Sequence, residues 1–323
     1  PAYQVDLTDP QRLGLRQSAV IRNELEDLQD VEVELVSGFP SMVFSHVLSP
    51  LAADTTWSAF FQQLNQRFQT AGPLLTNVAT QMAYHGESGP SDTAAAALVG
   101  ERADLHYQPI GRITLAEGES LHLDTAAADA PYERIVEWNI PDTRDEYGAH
   151  YRDYQRQQRP ELGDDEPWDA VRFTNPFAMP MTTAAATMVA GGRFLGQQMS
   201  MWVNPGQRTS LRITKALSIT ARHGEQENAD DPRDYILLGG KRFRQIAVQG
   251  TVELTNRRDR PVTMVIRRRF SGQLQTADAE PELTLLEGGV YSVNQRNELT
   301  WEIDLAPKEV RTLTYRYQVY VYH

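Results

Sequence analysis

Gln245-Ile246-Ala247-Val248-Gln249-Gly250-Thr251-Val252-Glu253-Leu254-Thr255 reads with a period of two. Ile246, Val248, Gly250, Val252 and Leu254 fall on one face, and Gln245, Ala247, Gln249, Thr251 and Glu253 on the other. Successive side chains point to opposite faces of a strand, so the segment is expected to be a half-buried antiparallel strand. The turn 256–261 follows and Val262 to Phe270 returns, with Pro261 at a strand start, where its missing N–H does no harm. The two are predicted to form a hairpin. At the C-terminus Leu313, Tyr315, Tyr317, Val319 and Val321 alternate with polar and aromatic neighbours, which predicts a long strand central in its sheet. Ile246, Val248, Val252, Leu254, Trp301, Ile303, Tyr315, Tyr317 and Val319 are expected to share one C-terminal core.

Ala19 to Asn23, a polar turn, Val31 to Val36 and Ser37-Gly38 echo Val252 to Asn256, a polar turn, Val262 to Phe270 and Ser271-Gly272. A second recurring unit is a Gly- or Pro-centred turn that feeds a strand: Ala116-Glu117-Gly118-Glu119, Asn204-Pro205-Gly206-Gln207 and Ala306-Pro307-Lys308-Glu309. Short strands punctuated in this way predict a mainly β chain of two immunoglobulin-like β-sandwich modules. The expected division is an acidic N-terminal module over 1–170 and a C-terminal sandwich over 171–323.

Helix is expected in one insertion, at about 53–85. With Asp54 or Thr55 as N-cap, Trp57, Phe60, Phe61, Leu64 and Phe68 sit at helical spacing, and Gly72-Pro73 ends the element. A weaker pattern through Leu74, Leu75, Val78 and Met82 completes a helical hairpin, expected to pack its aromatic stripe against the sheets. Residues 141–167, rich in charge and Tyr, read as an irregular surface excursion with little core.

The 323 residues carry a net charge of −12, unevenly spread. Residues 1–190 hold 12 Lys and Arg against 28 Asp and Glu, while 191–323 hold 19 against 15, so one end is −16 and the other +4. Such a chain is repelled by nucleic acid and anionic lipid unless its basic part is segregated, because phosphate binding needs local Lys and Arg density. It contains no Cys, which removes a disulfide scaffold, a thiolate zinc site and a cysteine nucleophile. No run approaches the roughly 18 apolar residues of a membrane-spanning helix. Starting at Pro1 without a basic-then-apolar leader, the chain reads as a processed or excised piece.

Reactive constellations are absent from the sequence. There is no Gly-x-Ser-x-Gly elbow, phosphate-cradling glycine loop, His-Glu-x-x-His or dinucleotide fingerprint, so no catalytic residue, metal site or cofactor is assigned. The seven His residues are scattered and read as surface or loop residues. Asp164, Asp165 and Glu166 have the chemistry of a hard-cation loop but lack regularly spaced ligands, so a solvated acidic loop is expected. His223 with Glu225 and Glu227 is a weaker cluster still. Arg257, Arg258 and Arg260, with Arg267, Arg268 and Arg269, form a basic cluster, although strand alternation sends Arg268 to the opposite face from its neighbours. Arg257, Arg258 and Arg260 are the expected basic side of an interface, with Asp164 to Glu166 or Glu24 to Asp30 as the acidic side.

Ser18 to Asn23 with Val33 to Pro40, Pro131 to Arg134, Arg172 to Asn175 with Pro180, Gly191 to Gly196, and the closing Leu299 to Glu302 and Tyr315 to Tyr320 resemble the C-terminal region of the mucoidy inhibitor A family, in order and over nearly the whole chain. The resemblance implies a β-rich domain of unknown biochemistry, often in exported or envelope-associated bacterial proteins and commonly preceded by a coiled-coil segment, which is absent here. It supplies no catalytic residues. The function expected is non-enzymatic: a structural or protein-interaction module with a protein partner or copies of itself. The alternative is a carbohydrate-active or other hydrolase module on a β-sandwich.

Overall fold

The computed structural model describes residues 1–24, 26–38, 105–145, 147–151, 166–227, 235–288 and 292–322. Among the described residues the chain is mainly β, and no helix is long and apolar enough to cross a membrane. The first strands are β1 (Ala2–Asp6), β2 (Arg12–Arg22), β3 (Leu28–Ser37), β4 (His106–Leu115), β5 (Ser120–Ile140) and β6 (Trp168–Thr174). Then come β7 (Ala184–Ala190), β8 (Arg193–Ser200), β9 (Arg208–Lys215), β10 (Ile219–Glu227), β11 (Tyr235–Leu238) and β12 (Lys241–Asn256). The last are β13 (Val262–Ser271), β14 (Gln273–Ala277), β15 (Glu282–Glu287), β16 (Arg296–Leu305) and β17 (Val310–Tyr322). The helical hairpin expected at about 53–85 lies outside the described residues.

Three buried asparagines organise these strands. Asn23, Asn175 and Asn256 stand at the ends of β2, β6 and β12, where the chain turns toward β3, β7 and β13. Each side-chain Nδ2 donates to the carbonyl just before one of the three recurring turns: Leu115 at 2.9 Å, Val203 at 3.0 Å and Leu305 at 3.2 Å. Each also donates to a carbonyl three or four residues on in its own loop: Glu26, Met179 and Arg260. The main-chain N–H of each asparagine donates to the last residue of the same turn: Glu119, Gln207 and Glu309. The turns repeat as well. In each, the Glu or Gln side chain at the fourth position accepts from the N–H of the first, and the third position has positive φ: Gly118 80°, Gly206 72° and Lys308 61°. A corner leaves backbone groups without ladder partners, and a buried amide side chain supplies them.

The predicted hairpin of Gln245–Thr255 with Val262–Phe270 does not form. β12 pairs with β10, β11 and β17, whereas β13 pairs with β16 and β5. No residue of 256–261 adopts the positive φ that tight hairpin turns require, and Asn256 holds the segment as an arch between two layers. The strands then face each other across a core. All nine residues predicted for that core belong to it, and Trp301 is 1% exposed. β17 is interior to its sheet, flanked by β12 and β14.

β5 is the spine. Its first half pairs antiparallel with β2, and its second half pairs antiparallel with β6 and parallel with β13. Ala130 enters one core, built from β1, β2, β6, β7 and β9, while Val136, Trp138 and Ile140 enter the other, between the β13–β16 and β12–β17 layers. The expected boundary at 170/171 falls inside β6, and one ten-stranded sheet runs through both halves. Of the excursion 141–167, the described part is docked rather than loose. Arg144 is buried, a Cβ on Gly148 would stand 2.1 Å from the Tyr320 carbonyl oxygen, and Tyr322 N–H donates to the Tyr147 carbonyl. Tyr147 also packs its ring on Tyr322, which in turn meets Phe243, and Lys241 lies 4.6 Å from the Tyr147 centroid.

Candidate functional site

A cleft of about 870 Å3 opens where the two cores meet. Its floor is the middle of β5 with Asp169 of β6 and Thr214 of β9. One wall is the end of β7 and its neighbours, carrying Ala190, Leu195 and Ile213, which are half-buried against the first core. The other wall is the arch after Asn256, from Arg258 to Val262. Asn256 shapes that wall, since its Oδ1 accepts from the Arg258 N–H at 2.9 Å and its Nδ2 holds the Arg260 carbonyl at 2.9 Å.

The arch disperses the arginines of the basic cluster. Arg258 turns inward and grips Asp169 with two hydrogen bonds of 2.8 and 2.7 Å, while its Nε donates to Ser218 Oγ at 2.7 Å. Arg257 reaches Thr220 Oγ1 at 3.1 Å, and Arg260 is exposed at the cleft rim. Arg134 of β5 joins them from the floor, its guanidinium 5.6 Å from the centroid of Tyr132. Among the described residues neither Arg134 nor Arg260 is ion-paired, whereas Asp169 pairs with Arg258 and Asp259 with Lys308. The cleft therefore carries surplus positive charge in a chain of net charge −12.

On the acidic side, Asp164 and Asp165 lie outside the described residues. Glu166 is exposed and paired with Lys215. Within Glu24 to Asp30, Asp30 pairs with Arg112 at 2.7 Å and Asp27 accepts the Glu117 N–H at 2.9 Å, so this stretch serves the first arch. Arg267 pairs with the buried Glu137 and Arg269 with Glu298 on the face opposite Arg268, as the alternation predicts.

Sequence reading missed what Arg268 meets on its own face. Its Nε donates to Tyr315 Oη at 2.9 Å, its Nη2 to Glu225 Oε1 at 2.6 Å and its Nη1 to the Pro141 carbonyl at 2.6 Å. Tyr315 donates to Glu225 Oε1 at 2.5 Å and Tyr317 to Glu225 Oε2 at 3.0 Å. Tyr315 Oη has one proton and two acceptor positions, so the remaining contact, His223 Nε2 at 2.7 Å, places a proton on Nε2. His223 is thus a partly buried network member rather than a surface residue. Burial opposes ionisation of Glu225, but Arg268, the nearby His223 at 3.7 Å and the Tyr315 hydrogen bond outweigh it and hold its carboxyl well below the usual range. Burial pushes the Asp142 carboxyl up instead, against Arg268 and the Ser271 hydroxyl at 2.5 Å. The missed signals were Gly250 and an arginine, both on inward strand positions.

Chemically, the network is closed on itself, and among the described residues no group of three His, Asp or Glu side chains is placed to hold a metal ion. The cleft, by contrast, is open to solvent. Comparison with family models, with curated proteins and with solved structures returned no match.

Proposed function

We propose that the chain is a non-enzymatic structural and protein-interaction module that associates with further copies of itself. The observation that carries this reading is β15. It ends the ten-stranded sheet with one partner, β16, among the described residues, and exposes Leu283 and Leu285, 48% and 59% accessible, on one face. The far end of that sheet is guarded, because β8 lies so close to β9 that a Cβ on Gly196 would stand 2.3 Å from the Ile213 carbonyl oxygen. An unpaired strand edge is a template for another chain. Glu282 and Glu287 bracket this edge and repel a second β15, which favours contact with a different element of the next copy. Such a contact is heterologous, and its repetition gives a ring or a filament.

The arch at Asn256 supports assigning the C-terminal module to an immunoglobulin-like sandwich, since it carries the chain from the β10–β12–β17–β14 sheet into the sheet that faces it across the core. The resemblance to the mucoidy inhibitor A family supports a place at the envelope or surface of a bacterium. Light scattering on a chromatographed sample across a salt series tests the reading. The mass is expected to rise above the 36.4 kDa chain with concentration and to fall as salt screens the charges over roughly 8 Å. Leu285→Lys is expected to leave a monomer. A strict monomer of the unaltered chain at high concentration and low salt overturns self-association.

A further inference from the structure

We propose that the cleft between the two cores binds an amphiphilic anion: a carboxylate or phosphate head held by Arg134 and Arg260, with an aliphatic body laid against Ala190, Leu195 and Ile213. This site is distinct from the assembly edge, since β13 and β16 stand between β5 and β15.

Three observations converge. The volume, about 870 Å3, is within the roughly 300 to 1,000 Å3 of small-molecule sites. The apolar wall is built from side chains that the first core leaves half-buried, so an aliphatic body covers surface that water now touches. The charge is selective. Of the cleft's three guanidiniums, Arg258 is spent on Asp169, and the second carboxylate, Asp259, is spent on Lys308. An anion thus meets two uncompensated guanidiniums at no cost in broken ion pairs, and guanidinium is the side chain that grips carboxylate and phosphate through paired hydrogen bonds. A cation meets the same two groups as repulsion. A purely aliphatic molecule leaves both heads unanswered.

Calorimetric titration of the whole chain with dodecanoate and with dodecyl phosphate, each below its micelle-forming concentration, tests the proposal. Acetate and inorganic phosphate supply the heads alone, and dodecyltrimethylammonium supplies the body with the opposite charge. One saturable site for at least one dodecyl anion is expected, the tighter of the two identifying the head. The head-only ions and the cation are expected to bind at least tenfold more weakly. Arg134→Gln and Arg260→Gln, both at exposed side chains, are each expected to weaken binding about tenfold, which is about 1.4 kcal/mol, with an unchanged thermal midpoint. Leu195→Ser, which adds no charge, reads the apolar wall separately and is expected to weaken the dodecyl anions without changing acetate or phosphate. Equal binding of the cationic amphiphile, equal binding of the bare heads, or full affinity in the double arginine variant overturns the proposal. Ligand binding by a strict monomer would sink self-association and leave this site standing.

Discussion

Gly250 shows how much one missing side chain can organise. It lies between Glu225 of β10 and Tyr315 of β17 in the ladder, and a Cβ there would stand 2.1 Å from the Tyr315 ring. The phenol crosses β12 through that gap to reach Glu225, and Arg268 closes the charge from the facing layer. A buried ion pair is weak evidence for net stability, but removing one partner strands the other, at a cost of about 3 to 5 kcal/mol. The pH dependence has a definite sign. Because the Glu225 carboxyl titrates below its unfolded value near 4.5, its contribution is present above about pH 4.5 and declines as pH falls toward the folded value. Glu225→Gln is therefore expected to flatten the loss of stability below pH 4.5 by up to about 1.4 kcal/mol per pH unit, as measured by urea unfolding at a series of pH values. Asp142 has the opposite sign, since its raised value makes its contribution largest below about 3.8 and smaller as pH rises. An unchanged acid limb in Glu225→Gln would show that Glu225 does not set it.

At the scale of elements, strands were legible and their partners were not. Period-two alternation at Gln245–Thr255 and at the C-terminal strand identifies inward faces from local chemistry alone, and every residue predicted for the C-terminal core is in it. Pairing depends on backbone angles in a six-residue loop and on where an asparagine side chain sends its hydrogen bonds, which no periodicity reports. The repeats were visible as echoes, but the asparagine of the first echo and the first recurring turn join only in three dimensions, where Asn23 meets Leu115. The three arches are not equivalent. Asn175 and Asn256 close layers over filled cores, whereas the inward Val31, Val33, Leu35 and Ile113 of β3 and β4 stay half-buried. Asn256→Ala is thus expected to lower global stability by about 2 to 3 kcal/mol, from buried carbonyls left unpartnered. Asn23→Ala is expected to raise amide exchange in β3 and β4 with a much smaller fall in the global midpoint. Equal losses from both variants would contradict this ranking.

For the whole molecule, the shared spine matters most. β5 contributes Ala130 to one core and Trp138 to the other, so the two cores share a strand. The sequence reads charge and apolar content along the chain, and a strand that serves two cores is invisible in such a count. The charge split was legible, and its use was not, since Arg258 is committed to Asp169 and Asp30 to Arg112 within one copy. The edge at β15, which exposes Leu283 and Leu285, is the one proposed to meet another chain. Hydrogen exchange followed by mass spectrometry across a concentration series at low salt tests that claim most directly. The amides of Glu282–Glu287 are expected to gain protection as concentration rises, while the interior strands β12 and β17 keep the protection they already have. Association with no added protection at β15 would contradict the account.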